Sequence, residues 1–458
     1  MSAPPPPQPS RDRSLQARTD ALLRRLVRRD AATALRKVVR RSRPEDIAAA
    51  MEHLTWAEQR RLFSVLDDPD FAATLLAHLS DESAREVSRA LSRDTLADLL
   101  DRMEPDDATD VVAVLPESMR EEVLSELTEE QEEVRELLSW PPDTAGGIMS
   151  PLVFTMPQTA TAAETIRALQ DRHDEVETIY YVYVVDEDDR LVGVTSLRSL
   201  IVATPDARLS EIMTRDVIHV RPTEDQEEVA RFVARYDLLA LPVVDEGGHV
   251  LGVVTVDDVV DVIREEAAED MMLMAGVTEG PERGVMQQSS SRAGWLVATL
   301  VGGILVAEII AGFKTALEQV AVLAGFIPVI IGMGGNVGIQ SATLAVRGLA
   351  TGRVHLGGAL TFVWHEARVS MLLGLAFAAL LGIYGTLRYR QEPLLGLSVG
   401  ASIFLAISLA GVLGASIPLL LERVGVDPAI ATGPFVTTLV DLLGIVVYFN
   451  VALILLGL

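Results

Sequence analysis

The 458-residue chain contains no cysteine. That excludes disulfides, thiolate metal sites and cysteine nucleophiles together. Histidine is scarce, and beyond residue 293 only His355 and His365 occur. His365-Glu366 has no second His at metal-ligand spacing, so nothing supports an enzyme and the chain reads as a non-enzyme. Positive charge is in short supply too. Lys and Arg number 39 against 65 Asp and Glu, a formal net charge of −26. Such acidity argues against a nucleic-acid partner, whose phosphates need cations. It also opposes compaction unless cations bind or screen it. No charged n-region precedes an apolar stretch near Met1, which predicts no signal peptide and a soluble half kept in the cytoplasm.

What is present in quantity is apolar sequence. Runs at about 295–313, 319–345, 356–385, 394–421 and 428–457 each meet the roughly 20 apolar residues that a bilayer span requires. They predict a multi-pass protein of the cell (inner) membrane, with cytoplasmic N-terminal domains and the C-terminus outside. Arg347 and Arg353 after the second run follow the positive-inside trend, while Arg388 and Arg390 after the third oppose it. Residues 293–458 hold seven basic and seven acidic side chains, so the acidic excess lies before them.

In the last run, Asp441 is the only carboxylate between Pro428 and Leu458. A centred Asp costs roughly 2.5–3.5 kcal/mol on insertion scales, and such a group marks an ion or proton route by default. The competing reading is an Asp that caps or hydrogen-bonds a neighbouring helix. The second run contains Ile327-Pro328 followed by Gly332, Gly334, Gly335, Asn336, Gly338 and Gln340. Pro328 predicts a kink and the glycines permit close backbone approach. Asn336 and Gln340 share a face, where an Asn would add an oxygen ligand at membrane depth. Tight helix packing is the plainer use of the glycines.

The soluble half holds two kinds of module. Residues 1–15 are Pro-rich and polar and read as a disordered tail. Residues 16–138 read as a superhelix of short amphipathic helices, with capping boxes at Thr55…Glu58 and Thr128…Gln131 and Pro105 and Pro116 in first turns. The basic run Arg24–Arg29 suits either an anionic lipid surface or a solvated helix face. Residues 139–202 and 203–262 are a duplication: Tyr183-Val184-Val185-Asp186 and Leu191-Val192-Gly193-Val194 recur 59 residues later as Pro242-Val243-Val244-Asp245 and Val250-Leu251-Gly252-Val253. Each copy reads as strand, helix, strand, turn, strand, helix.

Residues 258–292 read as a helix and linker leading to the first span. On that helix Asp258, Asp261, Glu265, Glu266, Glu269 and Asp270 share roughly one face. Like charges at such spacings destabilise a helix unless something positive meets them. Carboxylates without His or Cys favour a hard ion, Mg²⁺ or Ca²⁺. No twelve-residue Ca²⁺ loop is present, and Mg²⁺, which keeps several waters, suits a diffuse acidic surface. A merely solvated charged helix is the alternative.

The duplicated segment resembles a tandem pair of CBS domains, whose Gly-x-x-Thr-x-x-Asp nucleotide pattern is Gly252, Thr255 and Asp258 in the second copy but Gly193, Ser196 and Ser199 in the first. Joined to Thr144-Ala145-Gly146-Gly147-Ile148-Met149, Glu177-Thr178-Ile179-Tyr180-Tyr181, Asp225-Gln226-Glu227-Glu228, Arg347-Gly348-Leu349-Ala350-Thr351-Gly352 and Gly433-Pro434-Phe435-Val436-Thr437-Thr438-Leu439-Val440-Asp441, it resembles MgtE-type magnesium channels over nearly the whole chain. The resemblance implies a multidomain membrane protein: an all-α superhelical N domain, an α/β CBS pair, a connecting plug helix and an α-helical membrane domain of five spans. It implies a homodimer in lipid that takes up Mg²⁺ and is closed by cytoplasmic Mg²⁺. The pore ion would be held at Asp441, with Asn336, Gly335 and Thr437. Regulatory ions are implied at Asp107, Asp110, Gly147, Asp225, Glu227, Ala234, Asp237, Asp258, Asp261, Glu266, Glu269 and Asp270, and ATP at Tyr181, Arg198 and Thr255. Mn²⁺ and Co²⁺ are alternatives to Mg²⁺. A Na⁺- or H⁺-coupled exporter of divalent cations, with Asp441 as the coupling site, is the second reading.

Overall fold

The computed structural model describes residues 21–29, 31–127, 132–172, 180–277, 285–390 and 392–458. The Pro-rich tail and the box at Thr128…Gln131 lie outside them, as does Glu177-Thr178-Ile179. The chain divides between Ile263 and Arg264 into two compact units.

The first unit opens with short helices, most of eight or nine residues, from Ala32–Val39 to Glu132–Leu137. Helices this short are unstable alone. They persist by burying one continuous core that runs from Leu23 and Val27 through Leu62, Leu76 and Leu100 to Val134. Leu23 and Val27 draw the basic run into that core, and Arg28 pairs with Glu58 at 2.7 Å. Each helix packs on the next but one: Pro44–Met51 on Pro69–Ala77, Trp56–Phe63 on Asp81–Ser88, and so on. That pattern makes the superhelix. Starts follow local chemistry: Pro44, Pro69 and Pro105 occupy first turns, Asp68 caps through Phe71 N–H, and Thr55 N–H donates to Glu58 Oε2 at 3.0 Å. We label Pro105–Ala113 α1.

Next come two small sheets. Strands β1 (Thr155–Pro157), β2 (Tyr181–Val185) and β3 (Leu191–Ser196) form one; β4 (Ala240–Val244) and β5 (Val250–Thr255) form the other. β1 lies parallel to β2, and the hairpins β2–β3 and β4–β5 are antiparallel. The register slips at Val184/Val185 and again at Val243/Val244. The duplication therefore extends to backbone irregularity. The second copy departs from the first at its opening strand, which is a single parallel bridge, Val220 to Val243. The copies are joined by bridges Ser150–Val253 and Arg190–His249. Helix α2 (Gln226–Tyr236) is capped by Asp225 and ends on Asp237, a left-handed residue at φ 51°. Helix α3 (Val256–Met274) follows β5 directly.

Among its described residues the second unit carries five helices long and apolar enough to cross a membrane. They are α4 (Val285–Gly312), α5 (Leu323–Ala350), α6 (Ala359–Arg388), α7 (Pro393–Arg423) and α8 (Pro434–Leu456). The second span begins later than expected because Lys314–Gln319 forms a separate short helix. The last also begins later. Pro428–Thr432 is a 3-10 turn, and Gly433-Pro434 restarts the chain as α8. Apolarity runs through that break, so hydropathy alone could not mark it. α7 packs on α5, α6 and α8 through Leu395, Val399, Ile403, Ala406, Ile407 and Ala410. Small residues set the spacing: a Cβ on Gly414 would stand 2.2 Å from Gly338 O.

Candidate cation sites

The first site is at membrane depth. Asp441 lies in the second turn of α8, and its Oδ1 is buried with no hydrogen-bond partner among the described residues. An orphaned buried carboxylate oxygen is costly, which disfavours the capping alternative and suits a group that receives a cation. α5 comes close enough to matter because it lacks side chains there. Cβ atoms built on Gly334 and Gly338 would stand 3.2 and 3.1 Å from Val440, and one on Gly335 stands 3.8 Å from Asp441 Oδ1. Thr437, one turn before Asp441, donates from Oγ1 to Pro434 O at 3.1 Å. Asn336 is exposed on α5, on the face that also bears exposed Gly332, Ile339 and Gln340. The structure thus brings Gly335 to Asp441 and leaves Asn336 on an open face.

The second site is in the soluble unit, where the first turn of α1 meets the start of α3. Burial, followed by the like charges of Asp106, Asp107, Asp258 and Asp257, pushes Glu104 up to about 7. Burial and then Asp107 push Asp106 up to about 6, and burial with Asp107, Asp106, Asp258 and Asp81 pushes Asp110 up to about 7. Burial raises Asp107 as well, with nearby His78 opposing. Asp258 is pushed up to about 6 by burial, against a hydrogen bond from Thr255 that favours its charged form. Glu104 and Asp110 keep exposed surface, so solvent screens their repulsion more than it screens Asp106, whose Oδ1 is enclosed and unpaired among the described residues.

Asp107, Asp110 and Asp258 thus meet. Asp257, Glu104 and Asp106 join them: in the sequence Asp257 stands in the acidic run that opens α3 and Asp106 beside Asp107, while Glu104 carries no such signal. Acidic first-turn residues occur on most helices as dipole partners, and only the tertiary meeting separates these three. Asp225 is committed locally: Oδ1 accepts from Glu227 N–H at 2.8 Å, and Thr144 bridges to it, so the Gly147 turn lies beside it. Glu227 pairs with Arg231 at 2.9 Å. Ala234 and Asp237 are exposed on α2 and at its end. Asp261, Glu266, Glu269 and Asp270 follow along α3. Among the described residues, no three His, Asp or Glu side chains form a ready cage for a bare ion. The donors are nonetheless all carboxylates, which fits an ion that keeps its water.

The nucleotide candidates are divided between the two copies, Tyr181 and Arg198 in the first and Thr255 in the second. Tyr181 packs against the cluster of Tyr183, Ala240 and Val253, and Ala240 pairs with Thr255 across β4–β5. The Thr255 hydroxyl lies 2.5 Å from Asp257 Oδ1 and 2.6 Å from Asp258 Oδ2. In the first copy Ser196 and Ser199 make the matching contact, hydroxyl to hydroxyl, at 2.8 Å. Arg198 is exposed beside them.

These positions can be compared with known proteins. Residues 327–451 match the divalent cation transporter domain of MgtE proteins, 42–143 the MgtE intracellular N domain, and 145–206 and 209–265 the CBS domain. The magnesium transporter MgtE of Thermus thermophilus is 39% identical over 440 residues, covering 92% of this chain and 95% of its own. The chain belongs to the MgtE family. The Bacillus subtilis magnesium transporter MgtE is 32% identical over 91% of this chain and 93% of its own. Among solved structures, the cytosolic domain of a Mg²⁺ channel MgtE in complex with ATP matches at a TM-score of 0.50 and 38% identity, covering 53% of this chain and 99% of that one. In MgtE terms the first unit carries the N domain and CBS pair, and the second the transporter domain.

Proposed function

We propose that the chain carries Mg²⁺ across the membrane as a channel that cytoplasmic Mg²⁺ closes. One observation supports the gating half: carboxylates of α1 and α3 are crowded together, and among the groups that shift them His78, beside Asp107, is the basic one, with no Lys or Arg. At low Mg²⁺ these groups repel. At high Mg²⁺ hydrated ions bridge them, with Asp225, Glu227, Asp237, Asp261, Glu266, Glu269 and Asp270 as further ligands and Gly147 and Ala234 beside them. An ion shifts the population only if it prefers the closed state. One that binds only the compact arrangement stabilises it by about 2.7 kcal/mol at a hundredfold excess over Kd.

Permeation uses Asp441 with Gly335, Asn336 and Thr437. A homodimer would place two copies of Asp441 on a shared path, and the exposed Asn336 face of α5 is available for that contact. The N-terminal domains are cytoplasmic and the C-terminus is outside in this reading. An adenine nucleotide would meet Tyr181, Arg198 and Thr255, bringing anionic phosphates near Arg198.

The test is neutralisation of Asp258, Asp261, Glu266, Glu269 and Asp270 to Asn or Gln in the full chain, with channel current recorded as cytoplasmic Mg²⁺ is stepped. Inhibition should move to higher Mg²⁺ while the permeating ion stays the same. Unaltered inhibition would show that this acidic face is solvated surface only.

A further inference from the structure

Glu366 is, unlike Glu308 and Glu422, a fully enclosed carboxylate within the membrane helices, and nothing above uses it. It lies in α6, inside the apolar span Leu356–Arg388, and is only 5% exposed. Its Oε2 accepts from Ser341 Oγ of α5 at 2.9 Å, and Ser341 is itself buried. No basic side chain pairs with Glu366 among the described residues. An ionisable group at such depth is costly and is retained for a task.

Its surroundings identify the task. One turn on, Ser370 is buried so tightly that a Cβ on Gly411 of α7 would stand 1.7 Å from its Oγ. Three residues before Ser341, Gly338 touches α7 at Gly414 and α8 at Val440 and Val436. α5 is therefore held on three sides within one stretch. Glycine contacts in this stretch set its distance from α7 and α8 without direction, while at the start of α5 the Tyr448 hydroxyl of α8 donates to Leu323 O at 2.8 Å. The Ser341–Glu366 bond is directional and joins α5 to α6. From Gly335, beside Asp441, to Ser341 is six residues, about 9 Å along the helix. Exclusion of water strengthens a hydrogen bond, whichever way its proton lies.

We infer that Glu366 is a positioning residue whose bond to Ser341 fixes the axial setting of α5, and with it the placement of Gly335 and Asn336 against Asp441. This rests on the reading of Asp441 as the ion site. A shift of the pore-side backbone changes how an ion is held, so it should alter the Mg²⁺ concentration that half-saturates flux as well as the amount of folded protein.

The experiment is Mg²⁺ influx into proteoliposomes, per inserted protein, across a range of Mg²⁺, for Ser341→Ala, Glu366→Ala, the double variant, Glu366→Gln, Ser341→Thr and Asp441→Ala. Each single alanine should raise the half-saturating Mg²⁺ by about tenfold, the order expected when a buried hydrogen bond is lost and its partner is left unsatisfied. The double variant should be no worse than either single, since both remove one bond. Glu366→Gln, which keeps an acceptor oxygen, and Ser341→Thr, which keeps the hydroxyl, should recover most of the loss. Multiplicative effects in the double variant overturn the inference. So does a Gln variant as poor as Ala, or a loss confined to the amount of folded protein. If Glu366→Ala does not insert, Ser341→Ala decides by the same criteria. Asp441→Ala separates the two claims. Retained flux there removes the ion-site reading. Lost flux there with normal Ser341 and Glu366 variants removes only this one.

Discussion

A side chain begun at Gly335 would start 3.8 Å from Asp441 Oδ1, so the backbone of one span lies beside the buried carboxylate of another. If that junction passes the ion, Asp441→Ala should reduce Mg²⁺ uptake to background. Folding should hold, because the change removes a costly charge and no core packing. Isotope or dye uptake in vesicles, normalised to inserted protein, gives the answer; normal flux sinks the assignment.

Asn336 is exposed on α5, so Asn336→Ala should leave the thermal midpoint nearly unchanged, as surface substitutions do. It should alter conductance or the preference among Mg²⁺, Mn²⁺ and Co²⁺. Paired melting and flux measurements check this. A lower midpoint with unchanged flux per folded protein would make Asn336 a packing residue.

The acidic meeting of α1 and α3 predicts a pH dependence for the soluble half, residues 16–275. Glu104, Asp106, Asp110 and Asp258 have values raised to between about 6 and 7. A raised carboxylate binds more protons folded than unfolded, so stability falls as pH rises from about 4 to above 7 and stays low beyond. In chelator, the melting midpoint should therefore be several degrees lower at pH 8 than at pH 5.5. Mg²⁺ should raise the midpoint more at pH 8, where these groups are ionised. Equal midpoints at both pH values, or a Mg²⁺ effect larger at pH 5.5, would contradict the cluster as a cation acceptor.

The membrane packing makes a sharper contrast. Gly414→Ala would set a Cβ 2.2 Å from Gly338 O, whereas Gly325, also in a span helix, has nothing within 4 Å of its Cβ position. Overpacking costs about 1–3 kcal/mol, so Gly414→Ala should lower the yield and melting midpoint of detergent-solubilised protein. Gly325→Ala should be neutral or slightly stabilising, as Gly to Ala in a helix interior is. Similar behaviour of the two variants would mean that the α5–α7 approach is looser than described.

Much of this was legible in the sequence, for reasons that differ by residue. Asp441 stood out because one charge in an apolar run is conspicuous without any fold. The CBS copies are legible because duplication compares the chain with itself; the shared slip after Val184 and Val243 is added by the structure. Asp106 and Asp257 are visible as neighbours of Asp107 and Asp258, but the sequence does not say that they face each other. Each resembles an ordinary helix-start acid, and their meeting depends on how distant helices pack. Glu366 was set aside for want of a second His. Its partner is a serine 25 residues earlier, and no spacing rule links a hydroxyl on one span to a carboxylate on the next. The start of α8 is hidden for a different reason: Pro428–Thr432 carries no charged side chain, so no charge marks the 3-10 turn off from the helix that follows.

The Ser341–Glu366 bond joins consecutive spans, which bears on how the membrane domain is made. A chain is synthesised from its N-terminus, and its parts fold in that order. When α6 enters the bilayer, α5 has already been made, so the acidic side chain arrives with its hydroxyl waiting. Gly338 must await α7 for Gly414, and α8 for Val440. The contacts that enclose Asp441 are thus the last to form. A chain stopped after α6 would already hold its first polar lock, while the surface around Asp441 would not yet exist.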